Sequence, residues 1–277
     1  MEFTTKVNIT KSTWTIHPCE RMLFVGSCFA NNMGKRFHDE KFNTDINPYG
    51  VMYNPASILH TVEKFCEEAE NKPSKAFLTL GTNHVYILNE TGEIADNCMK
   101  KPQELFTEKV LSTDECYNYL RKTVMRLMSK NRDIKIIVTV SPIRYRKYGY
   151  HESQLSKATL LLAADRLSKE EHVDYFPAYE IVNDELRDYR FYKEDMLHPS
   201  DQAIEYIWER FAETYFGNDT NEFLNEWKPI KEAMNHKPFN PEGDEYKRFI
   251  AEAKKKYDSL VKKWGRRTEA VSKYLSL

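Results

Sequence analysis

Asp195-Met196-Leu197-His198-Pro199 places a carboxylate three residues before an imidazole. That separation lets the carboxylate reach Nδ1, which turns Nε2 outward and stabilises the imidazolium formed when the ring takes a proton. A base of this kind needs a nucleophile, and Gly26-Ser27-Cys28-Phe29-Ala30 offers a serine directly after an apolar run and at the start of a helical pattern. In an open parallel sheet that position lies at the carboxyl edge, where the ligand crevice forms. First-turn backbone donors and the positive end of the helix favour an oxyanion there, which assists alkoxide attack and the tetrahedral intermediate. Serine is equally a common helix N-cap, so the strand-serine-helix pattern alone carries that second meaning. Cys28 is an alternative nucleophile, since a thiol at a helix start can be acidified. Side chains at successive positions diverge, so Ser27 and Cys28 would not share one base.

Two turns could complete an oxyanion hole. Asn47-Pro48-Tyr49-Gly50 offers a glycine N–H expected to be unhindered, and Gly81-Thr82-Asn83 follows a strand pattern with an amide expected to reach the same crevice. Glycine and asparagine are also ordinary turn residues. Arg144, Tyr145, Arg146 and the tyrosines up to Tyr150 follow the strongest strand pattern. They are expected to overhang the crevice and hold an anionic or sugar substrate by stacking and charge-assisted hydrogen bonds, or else to lie flat on the surface. No metal-ligand cluster and no phosphate-cradling glycine loop is legible, so no cofactor and no metal are expected.

The elements that must position these groups follow from hydropathy. Met22 to Val25 is a short continuous apolar run, the pattern of a buried parallel strand. Asn54-Pro55 opens an amphipathic helix carrying Ile58, Leu59, Val62 and Phe65. Ala76 to Leu80 reads as a strand, and Val85 to Leu88 as a strand entering a hairpin that returns through Ile94. Ser112 and Glu115 have capping-box spacing ahead of a helix with Tyr119, Leu120, Val124 and Leu127 on one side. Ile134 to Val140 is the clearest strand and is stopped by Pro142. A helix over 154–167 and a last strand over 173–176 complete the alternation, which implies a parallel, doubly wound sheet in an α/β fold. Helical patterns fill the rest, over 203–216, 222–234 and 244–264, the last with Tyr246, Phe249, Ile250, Ala253, Tyr257, Leu260, Val261 and Trp264 on one stripe. The expected organisation is a catalytic domain over 1–217 and a helical extension over 218–277.

A formal net charge of -1 over 277 residues supplies no global field to recruit nucleic acid or an acidic membrane. Lys254 to Lys256, Lys262, Lys263, Arg266 and Arg267 form a local basic excess, read as a solvated face of a helix that packs on the domain or joins a dimer rather than as a nucleic-acid site. Met1 to Thr15 lacks a basic stretch followed by an apolar run, and no apolar run is long enough to cross a bilayer. The expectation is a cytoplasmic protein, monomer or homodimer. Its five cysteines, an odd number without a Cys-x-x-Cys pair, fit reduced thiols.

Gly26 to Ala30 spells GSCFA, and the chain resembles the GSCFA family, a branch of the SGNH (GDSL-like) hydrolase superfamily. The resemblance continues through NPYG at Asn47 to Gly50, YNP at Tyr53 to Pro55, LTLGT at Leu78 to Thr82, NC at Asn97-Cys98, SPIR at Ser141 to Arg144 and DMLHPS at Asp195 to Ser200, and covers most of the chain to about Phe216. It implies a three-layer flavodoxin-like fold, with Ser27 as nucleophile, His198 as base and Asp195 as its orienter. Gly50 and Asn83 match the oxyanion donors that accompany the serine N–H, with Asn97 as the alternative asparagine. Asn97, Arg144 and Tyr145 are the candidate substrate-binding residues. The chain departs from the family at Met99 and Tyr145, where histidine is common, so a shifted specificity or an impaired, binding-only protein is the competing expectation. The implied substrate is a small-molecule or carbohydrate ester with a small acyl group such as acetyl, which is hydrolysed or passed to another alcohol.

Overall fold

The computed structural model describes residues 4–70, 72–96, 102–240 and 242–266. The chain runs from β1 (Arg21–Gly26) into α1 (Cys28–Asp39), β2 (Asn43–Ile46), α2 (Pro55–Glu68) and β3 (Lys75–Leu80). A small insertion follows, with β4 (His84–Leu88), β5 (Ile94–Ala95) and β6 (Phe106–Val110). The chain then forms α3 (Thr113–Lys130), β7 (Lys135–Val140), α4 (Tyr150–Leu167), β8 (Val173–Tyr175) and a short α5 (Ala178–Glu180). It ends in α6 (Asp201–Tyr215), α7 (Asn218–Asn235) and α8 (Asp244–Gly265).

β1, β2, β3, β7 and β8 form one parallel sheet in the order β2-β1-β3-β7-β8. The order reverses once, between β1 and β3, and that reversal opens a crevice beyond the carboxyl ends of the two strands. Strand periodicity builds the layers on either face. Leu23, Val25, Leu78 and Val138 point to the side covered by Ile58 and Val62 of α2, Leu120 and Val124 of α3, and Leu160 and Ala164 of α4. Phe24, Phe77 and Ile137 point to the other side, against Phe29, Met33 and Phe37 of α1 and Ile207, Trp208 and Phe211 of α6. This is the parallel α/β sheet expected from the alternation of strand and helix patterns, in the three-layer form that the family resemblance implies.

Local signals set the helix starts. Asn54 caps α2 by accepting from Ser57 N, with Pro55 in the first turn, and Ser112 and Glu115 form the reciprocal capping box of α3. Caps of this kind contribute about 1 kcal/mol each. β5 pairs with β4 as the hairpin pattern predicts, but β6 also pairs antiparallel with β4, giving a separate three-stranded sheet in the order β5-β4-β6. α7 and α8 pack through their own cluster of Phe223, Trp227, Ile230, Leu260 and Trp264, which also takes in Cys19. Trp227 Nε1 donates to Asp39 O and Lys231 pairs with Glu40, so the two helices are tied to the end of α1. Only the carboxyl-terminal half of the expected α8 stripe is buried. Ala253, Leu260 and Trp264 are covered, whereas Phe249 is exposed.

Candidate active site

β1 ends in backbone that only glycine tolerates. Gly26 has φ +138°, and a Cβ there would lie 2.1 Å from Thr79 O. The bare Cα lets β1 and β3 close on each other where the next residue, Ser27, leaves the sheet. Gly26 N donates to Asn47 Oδ1 at 2.8 Å, and Met52 N donates to Gly26 O at 2.9 Å, so the loop after β2 is fastened to the same point. Ser27 is 1% exposed. Its hydroxyl accepts from Phe29 N at 3.2 Å as the N-cap of α1 and lies 3.1 Å from Thr79 Oγ1, while Ser27 N donates to Thr79 O at 3.2 Å. The residue expected as nucleophile is therefore also the cap of α1.

The histidine sits in a loop braced from two directions. Asp195 Oδ1 accepts from Leu197 N at 2.8 Å and His198 N at 3.0 Å, and Asp195 Oδ2 lies 2.5 Å from His198 Nδ1. Donation by the two backbone N–H groups, with the imidazole adding to it, holds the Asp195 carboxyl well below the usual carboxylate range. Met196 takes φ 58° to turn the loop, and Ser200 caps α6 immediately after it. Arg144 N donates to Leu197 O at 3.0 Å, and the Arg144 guanidinium donates to Met196 O at 3.1 Å while lying 4.2 Å from the Tyr150 ring centroid. Arg144 thus braces the histidine loop as well as lining the cavity beside it.

Ser27, Cys28 and His198 line one cavity of about 320 Å³, together with Tyr53, Gly81, Ser141, Arg144 and Tyr145. The sequence-predicted nucleophile, base and two of the candidate substrate contacts, Arg144 and Tyr145, are brought together. Gly50 and Asn83 do not line it. Gly50 N, expected to be unhindered, donates to Asn47 O at 2.8 Å. Asn83 is 2% exposed and its Nδ2 donates to Leu111 O at 2.7 Å. Both donors have intramolecular partners, set by a tight turn in one case and by the β6–α3 connection in the other. Asn97, Cys98 and Met99 lie outside the described residues. Cys28 Sγ lies 3.8 Å from Tyr53 Oη, and burial together with the neighbouring thiol pushes the Tyr53 phenol up to about 12.

Three features of the site escape a reading of the sequence. Thr79 holds Ser27 from the adjacent strand. The β4–β5–β6 sheet walls a second, larger cavity that shares Tyr53 and Tyr145 with the first. Lys157, 2% exposed, donates from Nζ to Gly81 O and Ser141 O at 2.8 Å each, joining the ends of β3 and β7 beneath the cavity. A signal for Lys157 exists, since it falls on the same helical face as Ser153, Ser156, Leu160, Ala163, Ala164 and Leu167, the buried side of α4.

A parallel, flavodoxin-ordered α/β sheet with a serine at its topological switch point, and an Asp–His pair across the same cavity, defines the class of molecule. The chain belongs to the GSCFA family: the GSCFA family model matches residues 21–77 and 68–211, and the model of the GSCFA domain protein C-terminal domain matches 227–270. Among solved structures, the chain is similar to a carbohydrate esterase family 3 protein from Talaromyces cellulolyticus (10% identity, 75% of this chain and 99% of that chain, TM-score 0.41). It is also similar to an acetyl-xylooligosaccharide esterase from Geobacillus Stearmophilus (13% identity, 74% and 98%, TM-score 0.44). No curated protein matches the chain.

Proposed function

We propose that this protein is a serine-dependent ester hydrolase or acyltransferase acting on small acyl esters, acetyl among them. The observation that carries the reading is the shared cavity of Ser27 and His198, with His198 Nδ1 held by Asp195. In the resting arrangement the Ser27 hydroxyl is engaged by Thr79 and by the cap. Rotation about its Cα–Cβ bond releases it toward the imidazole. Nε2 of His198 then takes the hydroxyl proton as Oγ bonds to the ester carbonyl carbon, and Asp195 stabilises the imidazolium. The first turn of α1 and its dipole stabilise the oxyanion. Collapse of the intermediate breaks the ester C–O bond, and the proton on His198 goes to the departing alcohol. Water, or a second alcohol, gives its proton to His198 and attacks the acyl carbon. Collapse of this second intermediate breaks the Ser27 Oγ–acyl bond, releases the acid or the new ester, and returns the proton from His198 to Ser27 Oγ. Gly50 and Asn83 would serve as further donors only by exchanging their present partners.

The competing reading is a binding protein that keeps the pocket without turnover, and the engagement of the Ser27 hydroxyl by Thr79 favours it. Burst kinetics with p-nitrophenyl acetate separate the two. The esterase reading expects a stoichiometric burst from the wild type and none from Ser27→Ala. The variant should be destabilised by only about 1 kcal/mol through loss of the cap, so a folded, inactive variant is the expected pair of results. A folded wild type with neither turnover nor acylation supports the binding reading. Residues 1–217 are proposed as the catalytic domain, 218–277 as its helical extension, and the protein as cytoplasmic, a monomer or homodimer, with no nucleic-acid partner.

A further inference from the structure

The second cavity, of about 580 Å³, lies within the size range of small-ligand sites and has no role in the acyl chemistry just described. One wall is the β4–β5–β6 insertion, which contributes His84, Tyr86, Ala95, Phe106 and Glu108. The other includes Tyr53, Tyr145, Lys147 and Tyr148. Tyr53, Tyr145 and Lys147 also line the cavity that holds Ser27 and His198. A ligand in the larger space therefore adjoins the proposed nucleophile.

The lining is a set of fixed aromatic rings with polar groups held between them. The His84 ring stacks on Tyr148 with centroids 4.2 Å apart and planes 11° apart, and Tyr145 lies 5.6 Å from Tyr148. Tyr86 packs edge-on to Phe106 and hydrogen-bonds through its hydroxyl to Tyr148 and Lys147. His84 Nδ1 lies 2.7 Å from Glu108 Oε1, and Asp96, another lining residue, holds His60 Nδ1 at 2.7 Å. These contacts prepay side-chain ordering, so the wall is preorganised for a ligand.

The chemistry selects among ligands. Two carboxylates, Asp96 and Glu108, against one ammonium, Lys147, disfavour a phosphorylated or carboxylated guest. A plain acyl chain would strip water from the Asp96 and Glu108 carboxylates and bring no hydrogen bond in its place. A neutral ring with apolar C–H faces and a rim of hydroxyls satisfies both sets of groups, its faces lying on tyrosines and its hydroxyls donating to carboxylates. We propose that this cleft binds the alcohol half of the ester as a pyranose or similar polyhydroxylated ring, with Tyr148 and the His84–Glu108 pair as its recognition elements. The inference rests on the acyl-transfer reading for the meaning of "alcohol half", but binding of the ring can be measured without turnover.

Saturation-transfer NMR of the full-length protein with a panel of methyl pyranosides, in the wild type, Tyr148→Ala and Glu108→Gln, is the test. Tyr148 is on a loop and Glu108→Gln is isosteric, so neither change removes a core contact. The expected result is millimolar binding of at least one pyranoside, weakened about tenfold in each variant, a factor equivalent to ~1.4 kcal/mol. Equal saturation transfer in wild type and both variants, or none from any pyranoside, or stronger transfer from an alkyl acetate or inorganic phosphate, would overturn it. The p-nitrophenyl acetate burst reports separately on the acyl chemistry. Pyranoside binding with neither turnover nor acylation sinks the esterase reading and keeps the cleft, whereas acylation of Ser27 without pyranoside binding does the reverse.

Discussion

The Ser27 hydroxyl lies 3.1 Å from the Thr79 hydroxyl across the β1–β3 pair, so the proposed nucleophile rests on a neighbouring strand rather than on its base. Breaking a buried neutral hydrogen bond of this kind costs about 1 kcal/mol. Thr79→Val removes the partner while keeping the shape. Acylation by p-nitrophenyl acetate should then speed up about fivefold, measured as the burst rate. A slower burst would show that Thr79 supports the reactive rotamer instead.

Gly26→Ala tests the close approach on which that pairing depends. The new methyl would meet Thr79 O at 2.1 Å in a backbone conformation with φ +138°. Backbone strain and overpacking together should destabilise the fold by about 3 kcal/mol or more, read from the urea midpoint. A midpoint close to that of the wild type would refute the account of this junction.

Lys157 links stability to pH. Burial lowers its ammonium to about 7 from the ordinary lysine value of 10.5. Between those values the unfolded chain binds more protons than the folded one, so the sign of the linkage makes the Lys157 contribution rise with pH from about 7 to 10.5. Below 7 the buried charge is present in full and its cost is constant. Lys157→Met leaves Gly81 O and Ser141 O without this donor, costing about 2–4 kcal/mol. The stability difference between wild type and variant should widen from pH 7 to 10, as followed by denaturant titration. A constant difference would contradict the sign.

Asp195→Asn should lower kcat by about 10²-fold or more with little change in KM, because the loop keeps its shape while the imidazole loses its anionic partner. Asp195 sits so far below the ordinary carboxylate range that it stays ionised through mild acid. Its contribution to stability is present in full at neutral pH and is lost progressively as pH falls from the ordinary carboxylate range through that depressed value. A parallel rise in KM would point to collapse of the loop.

The layers were legible because β1, β3 and β7 are continuous apolar runs and the helices between them carry 3.6-residue stripes. β2 was not, since Asn43-Thr44-Asp45-Ile46 is an edge strand with one apolar side chain. β6 was not either, because Phe106 to Val110 is largely exposed and its pairing with β4 is a tertiary choice. The Asp195–His198 pair was readable since its partners are three residues apart. The partners of Gly50 and Asn83 were less so. Turn closure by Asn47 O is a local detail of loop geometry, and the bond from Asn83 to Leu111 spans an insertion whose third strand leaves little hydropathic trace.

The most direct measurement is mass spectrometry of the protein quenched during reaction with p-nitrophenyl acetate, with the acyl adduct located by peptide fragmentation. The account predicts one acetyl group on Ser27, absent from Ser27→Ala and unaffected by Cys28→Ser. An adduct on Cys28, or a folded wild type that carries none, would contradict it.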